Sequence, residues 1–320
     1  MNKIWSLGIA MLDIVSQPIT NWPEYGGSVF SDTTDFVLGG MALNTAVSLA
    51  KIGHVPVGLI SCIGHDLGGQ ILETGLKQLN IDAEHLCYAD SENTGVAICF
   101  IHPDGERSMV LCIAANNKLD ETRIHFNAIK DGDYLHVGGA MVSEGTRGRN
   151  LAKILKKVKE HNITVSIDTC WDGTNQWGKI LTPSLPYCDI FFTNDDEAKL
   201  YSCKDNIEEA LDYFSSFGPK ILIVKMGSKG AFVRSEEYCG LIPIFEVKTA
   251  DATGAGDSFD AGFLFGLFNN WSVEQSATFA SAVGAKCVTA FGATTGIVSY
   301  EETMKLIKAQ SREEDWNWKL

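Results

Sequence analysis

Residues Thr249-Ala250-Asp251-Ala252-Thr253-Gly254-Ala255-Gly256-Asp257-Ser258-Phe259 decide how this chain is read. Val247 and its neighbours have the character of a strand end, and the run from Asp260 to Leu267 that of a buried helix. Small residues turn the chain between them. The first turn of a helix carries unpaired N–H groups and the positive end of the macrodipole. Gly254, Ala255 and Gly256 have little or no side chain, so an anion can approach that backbone closely. Asp257 stands beside that position and can accept a proton. An anion cradle next to a fixed carboxylate suits phosphoryl transfer to an alcohol, with Asp257 orienting the hydroxyl and receiving its proton. At the ordinary aspartate pKa of about 3.9, Asp257 is expected to be ionised at neutral pH. A small-residue turn that only packs, with Asp257 stabilising its own helix, explains the same residues.

A second stretch bears on that choice: Gly39-Gly40-Met41-Ala42-Leu43-Asn44-Thr45-Ala46-Val47-Ser48-Leu49-Ala50-Lys51-Ile52-Gly53. Leu43, Ala46, Val47 and Ala50 share one helical face, and Gly53 suits a C-terminal cap. Gly39 and Gly40 let the backbone pass against a ligand. Asn44 lies off the apolar stripe, where its amide can serve sugar hydroxyls or satisfy local backbone. Together the two stretches resemble the C-terminal and N-terminal signatures of the PfkB/ribokinase family of carbohydrate kinases. The resemblance spans essentially the whole chain. It departs from ribokinase proper, whose N-terminal signature runs GG-K-G-A-N-Q-A where this chain has Gly39-Gly40-Met41-Ala42-Leu43-Asn44-Thr45-Ala46.

Bulk properties narrow the class. The chain has 320 residues, 45% apolar and 21% charged, as in ordinary globular proteins. A net charge of −14 argues against nucleic acid or an anionic membrane as partner. Nine scattered cysteines without a CxxC pair, and seven histidines without metal-pair spacing, argue against a disulfide framework or zinc site and fit a reducing cytoplasm. Ile4–Val15 is apolar but holds Asp13 and reads as a first buried strand, not a signal peptide. No apolar run reaches the ~18 residues of a membrane span.

Strand-like runs at 4–10, 55–63, 134–137, 163–168, 190–193 and 221–226 alternate with helical patterns at 66–79 and around Leu151, Ile154, Leu155 and Val158. This alternation implies a doubly wound α/β fold: a mostly parallel sheet between two helical layers, with ligands at the C-terminal strand ends. Asp13, Asn194, Gly227 and Asp251 follow such ends. Two regions break the pattern. Residues 14–38 hold Pro, Gly, Trp22 and Tyr25 without a long period. Residues 94–113 read as a hairpin around Pro103-Asp104-Gly105. The resemblance implies a ribokinase-like three-layer fold, a single kinase domain over 1–320, and a small β lid built from about 14–38 and 94–113. A lid edge with exposed apolar residues suits a homodimer through the lid.

The resemblance also implies roles for individual residues. ATP and Mg²⁺ are the expected cofactors, with Gly254, Ala255 and Gly256 holding the transferred phosphoryl group and Asp257 as base. Asp13, ending the first strand, is a sugar-binding acid, or else a turn cap. Gly39, Gly40 and Asn44 join it, with Arg107 on the hairpin equally free to face substrate or a surface acid. Asn194-Asp195-Asp196-Glu197 matches an NxxE motif, in which Asn194 contacts nucleotide and Glu197 organises Mg²⁺ through water. The same spacing makes a helix-capping box. Lys225, Gly227, Ser228 and Gly230 resemble a nucleotide loop, although a plain turn and a snorkelling Lys225 fit as well. Asp251 and Thr253 would hold a monovalent cation such as K⁺, or act structurally, with main-chain oxygens of Ala290 and Gly292. Trp171, after the 163–168 strand, stacks near the sugar or merely packs.

Charge speaks to the acceptor. Residues 4–50 contain no Lys or Arg, and 85–117 offer Arg107 with Lys118 just beyond. A phosphorylated substrate needs cationic clamps. The sequence therefore favours a neutral sugar, phosphorylated on a hydroxymethyl group, or a nucleoside against an apolar wall of Trp22, Tyr25, Phe30 and Phe36. A non-catalytic sugar-binding regulatory member is the remaining reading.

Overall fold

The computed structural model describes residues 2–17, 21–102, 107–139, 141–310 and 318. Its strands are β1 (Ile4–Gly8), β2 (Met11–Gln17), β3 (Thr33–Gly39), β4 (Val57–Ile60), β5 (Cys62–Gly64), β6 (Cys87–Ala89), β7 (Gly95–Ile101), β8 (Arg107–Cys112), β9 (Tyr134–Gly138), β10 (Thr164–Asp168), β11 (Ile190–Asn194), β12 (Ile221–Lys225), β13 (Ala231–Arg234) and β14 (Cys239–Ile242). Its helices are α1 (Met41–Ile52), α2 (Leu67–Gln78), α3 (Arg149–Val158), α4 (Gly178–Leu181), α5 (Asp195–Ser202), α6 (Ile207–Ser215), α7 (Ala255–Phe268), α8 (Val273–Cys287) and α9 (Tyr300–Gln310).

The main sheet has the order β14-β13-β12-β11-β10-β9-β1-β4. All strands from β4 to β12 in that order run parallel, and β13 and β14 add an antiparallel edge. Side chains alternate between two helical layers. Ile190, Phe192 and Ile223 pack with Leu43 of α1, Phe263 of α7 and Phe279 of α8. Phe191, Leu222 and Val224 pack with Leu151 of α3, Ala198 of α5 and Phe214 of α6. Strands buried on both faces read as continuous apolar runs, which is why these were visible in the sequence.

A second sheet stands apart, in the order β3-β2-β7-β8. Its strands lie largely where the resemblance implied a β lid, although periodicity alone did not show them. The aperiodic stretch 14–38 contains most of β2 and of β3, paired antiparallel from Met11↔Gly39 to Gln17↔Thr33. Thr33–Asp35 lie exposed, so this strand carries no two-sided apolar pattern. The expected 4–10 strand ends at Gly8, whose φ of 138° breaks the run before β2. The expected 55–63 strand is likewise split into β4 and β5. Residues 103–106, the centre of the expected hairpin turn, lie outside the described residues, as do 18–20.

Helix α7 is apolar on nearly every side because it is buried between α1 and α8. Gly262 and Gly266 make the crossing with α8 close: a Cβ on either would come within 2.8 Å of the Ala280 or Ser276 backbone. Among the described residues no helix is long and apolar enough to cross a membrane.

Candidate active site

The two stretches singled out in the sequence meet. Gly254 adopts φ 75° and starts α7, and a Cβ there would stand 2.2 Å from the Ala293 carbonyl. Only glycine fits that turn without strain. The Ala255 N–H is engaged by the Ala252 carbonyl at 3.3 Å. Of the three small residues expected to form a cradle, Ala255 thus has its N–H already engaged.

Helix α1 bolts onto this turn. Asn44 Nδ2 donates to Asp257 Oδ2 at 2.8 Å, Thr45 Oγ1 to the Asp257 carbonyl at 3.4 Å, and Ser48 meets Ser258 at 3.2 Å. Since a carboxylate only accepts, the amide nitrogen of Asn44 must face it. That leaves Asn44 Oδ1 buried with no hydrogen-bond partner. Asn44, expected to serve sugar hydroxyls, thus also orients the Asp257 carboxyl. Asp257 is half-buried, and loss of hydration is the main cause that raises its carboxyl to about 7. The Asn44 hydrogen bond and Lys225 oppose the rise, while Asp168 and Asp13 add to it. The expectation of an ordinary, fully ionised aspartate at neutral pH is therefore corrected: burial puts it at the edge of titration.

Asp13 lies on the same face of β2 as Met11 and Val15, flanked in register by Val37 and Ala97. This apolar row desolvates the carboxyl and raises it to about 7. Its Oδ1 is also buried without a partner. Gly39 admits it: a Cβ there would sit 2.1 Å from the Asp13 carboxyl. Gly40, at φ 93°, would collide with the Ile9 carbonyl if it carried a Cβ. A Gly39→Ala variant is expected to keep the fold, turn the short Asp13 side chain away and raise the acceptor KM at least ten-fold. Steady-state kinetics beside a thermal melt check this. Arg107 opens β8, but its side chain lies outside what is described.

Across α7 the structure supplies a group whose partners the sequence did not show. Lys225 Nζ lies 2.8 Å from Asp168 Oδ1 and 3.1 Å from Asp260 Oδ1, and 3.2 Å from where a Gly256 Cβ would be. The side chain of Lys225 is 15% exposed and that of Asp260 not at all. Lys225 is thus no snorkelling surface residue but a cation held at the start of α7. The two carboxylates raise its pKa despite burial. Burial, and then Asp168, push Asp260 well above the ordinary carboxylate range. A buried Asp inside the apolar run 259–267 was the available sequence signal for this arrangement.

Asn194 caps α5, accepting the Glu197 N–H at 2.8 Å. The Glu197 side chain turns inward, where Thr169 Oγ1 donates to its Oε2 at 2.7 Å. Burial raises the Glu197 carboxyl, against the Thr169 bond. The capping reading is therefore correct for Asn194, and it leaves the Glu197 carboxyl buried against Thr169, just past the end of β10. Gly227 opens a short turn at φ 56° with Ser228 exposed beside it. Gly230 faces the other way: a Cβ there would meet the Ile242 carbonyl at 2.2 Å, so it shapes the turn. Asp251 accepts from Thr253 N and Oγ1 and from Gly292 N, at 2.7–2.9 Å. Its carboxyl braces the 288–293 loop under Gly254. Trp171 is exposed at 61% and packs edge-on to Trp177. Trp22, Tyr25, Phe30 and Phe36 are all exposed, and Trp22 packs edge-on to Phe100.

The arrangement suits an anionic ligand at the α7 N-terminus and a hydroxylated one between Asp13 and Asn44. Residues 1–299 match the model of the pfkB family carbohydrate kinases. The chain belongs to that family. It is an ATP-dependent carbohydrate kinase, a phosphotransferase with an alcohol acceptor. The probable fructokinase-5 of Arabidopsis thaliana is 28% identical across 97% of this kinase and 98% of its own length. The nucleoside kinase of Methanocaldococcus jannaschii is 29% identical across 96% and 97%. A putative ribokinase II of E. coli, crystallised with ATP and Mg²⁺, shares the fold with a TM-score of 0.86 at 24% identity, covering 97% of this kinase and all of that chain. The ribokinase-like architecture expected from the sequence is thus the observed one.

Proposed function

We propose that this kinase transfers the γ-phosphate of ATP to a hydroxymethyl group of a neutral sugar. One observation carries the acceptor assignment: two acceptor oxygens, Asp13 Oδ1 and Asn44 Oδ1, are buried without partners beside the base. Such atoms are costly unless a ligand supplies O–H donors. A polyol does this and an apolar acceptor does not. The four-stranded sheet serves as the lid that brings Asp13 over Asp257.

In the transfer, the acceptor oxygen forms a bond to the γ-phosphorus as the bond to the β-phosphate oxygen breaks and ADP leaves. The acceptor proton passes to Asp257. The carboxylate is too weak a base to ionise a free alcohol, and in a loose transition state the proton leaves late. The first-turn amides of α7 and the Lys225 ammonium stabilise the charge on the transferred group. Asn194, Gly227 and Ser228 border the nucleotide. Glu197 would hold Mg²⁺ through its water shell; when bound, the ion neutralises phosphate charge. A monovalent cation such as K⁺ beside Asp251 would depend on main-chain oxygens, since the carboxyl already has three donors. The lid exposes Ile98, Met109, Val110 and Leu111, which suits pairing with the lid of a second copy.

The acceptor class is tested by coupled ADP release with sugars, sugar acids, sugar phosphates and nucleosides. A neutral sugar is expected to give the highest kcat/KM, at least ten-fold above any sugar phosphate. Lys225 is held by Asp168 and Asp260, and Lys51 is spent on the Thr294 carbonyl at 2.7 Å. A sugar phosphate as best acceptor would overturn the assignment. The exposed Trp22, Tyr25 and Phe30 favour a nucleoside as the second reading, and the same panel separates the two.

A further inference from the structure

The chain passes between the main sheet and the small sheet at four places, and one side chain touches three of them. Asn116 lies in a short turn (Ala114–Lys118) after β8 and is 1% exposed. Its Oδ1 accepts the Ala10 N–H at 2.9 Å, and its Nδ2 donates to the Ala10 carbonyl at 2.9 Å. The amide thus pairs with Ala10 as a neighbouring strand would, at the point where β1 becomes β2. Nδ2 also donates to the Ile113 carbonyl at 3.0 Å, where the chain leaves β8. At the entry to β7, a Cβ on Gly95 would stand 2.6 Å from Nδ2, so glycine is what lets that strand start against the amide. Oδ1 further accepts from Ser61 Oγ at 3.2 Å, between β4 and β5 of the frame. Ser143 Oγ donates to the Asn116 carbonyl at 2.8 Å and fixes the turn itself.

The hydrogen-bonding capacity of the amide is used almost entirely on these crossings. Asp13 lies three residues beyond Ala10, on β2, which starts at Met11. A change of angle at Ala10 is carried along β2 to the Asp13 carboxyl. Nothing in the transfer chemistry uses Asn116.

We propose that Asn116 is a positioning residue for the acceptor: its clamp on Ala10 and Ile113 sets the angle of the small sheet and so places Asp13 above Asp257. This rests on the reading of Asp13 as an acceptor contact.

The test compares Asn116→Asp and Asn116→Ala with the parent protein, using two readouts. Asn116→Asp keeps shape and the acceptor for Ala10 N–H but loses the two donated bonds. It is expected to raise the KM of the best acceptor at least ten-fold and leave the KM of ATP within two-fold. In the ligand-free protein, hydrogen exchange is expected to speed up at least ten-fold in β2 and β7 and stay unchanged in β9–β12. If Asn116→Ala fails to fold, Asn116→Asp and the exchange pattern still decide. An unchanged acceptor KM in Asn116→Asp overturns the proposal, and so does equal loss of protection in both sheets. Exchange needs no turnover: selective loosening of β2 and β7 in Asn116→Asp, beside an unchanged acceptor KM in Asp13→Asn, would refute the reading of Asp13 and leave the clamp on Ala10 standing.

Discussion

Asp257→Asn is expected to lower kcat by about 10²–10⁴-fold, the usual worth of a positioned proton acceptor. Acceptor and ATP binding should stay within a few-fold, because the amide keeps the shape of the carboxyl at the α7 N-terminus. Asn44 makes the variant informative. Its Nδ2 now donates to Asp257 Oδ2, and an amide can still accept there through its own oxygen. The pH profile is a second signature. The carboxyl must be ionised to take a proton, and burial raises both Asp257 and Asp13 to about 7. Turnover at limiting acceptor is therefore expected to fall as pH drops through about 7, whereas an ordinary aspartate would place that limb near 3.9. The two acids influence one another, so the limb belongs to the pair. The same burial has a stability consequence. A carboxyl with a raised native pKa binds its proton more tightly in the folded state. Its favourable contribution is complete below the unfolded value and is lost as pH rises toward about 7. Near-normal turnover in Asp257→Asn would remove the base from the mechanism.

Lys225→Met is the second large effect. It strands Asp168 and Asp260, one 8% exposed and the other fully buried, without their shared cation. Removing one partner of a buried pair costs about 3–5 kcal/mol. A drop of several degrees in the thermal midpoint is expected, together with a loss of about 10²-fold in kcat/KM for ATP. Asp260→Asn separates the two effects. One ammonium faces two carboxylates, and the pair repels: Asp168 helps push Asp260 upward. Neutralising Asp260 should leave the midpoint unchanged or raised. It should still lower kcat/KM for ATP about ten-fold, because Lys225 is then held from one side only. Melting curves with steady-state ATP kinetics check this. Normal kinetics in both variants would show that the buried cation is only structural.

Much of this was legible in the sequence, for identifiable reasons. The strands β9 to β12 are buried on both faces and read as apolar runs. The turn before α7 and the Gly39-Gly40 pair are built from residue types that few other conformations require. Glycine at 254 answers the Ala293 carbonyl, and glycine at 39 answers Asp13. What stayed hidden depends on contacts between distant segments. Lys225, Asp168 and Asp260 come from two strands and a helix, and no local spacing links them. Asn116 sits in a short turn, Ala114–Lys118, with no motif to mark it. Its partners at 10, 61 and 113 meet only when both sheets are in place. Strand β3 was reached through the resemblance and not through periodicity, because its first half faces solvent on both sides. The ionisation of Asp257 was misjudged because desolvation is a property of the packed site.

The central claim is that the Asp257 carboxyl and the first-turn amides of α7 converge on the transferred phosphorus. The most direct measurement is a crystal structure of the closed enzyme with its best acceptor and a non-hydrolysable ATP analogue. The expected result places an Asp257 oxygen within hydrogen-bond reach of the acceptor hydroxyl, roughly 2.6–3.2 Å, and the terminal phosphoryl on the Gly256 and Asp257 amides. A closed complex with that carboxyl on neither the hydroxyl nor the phosphoryl side would contradict the account.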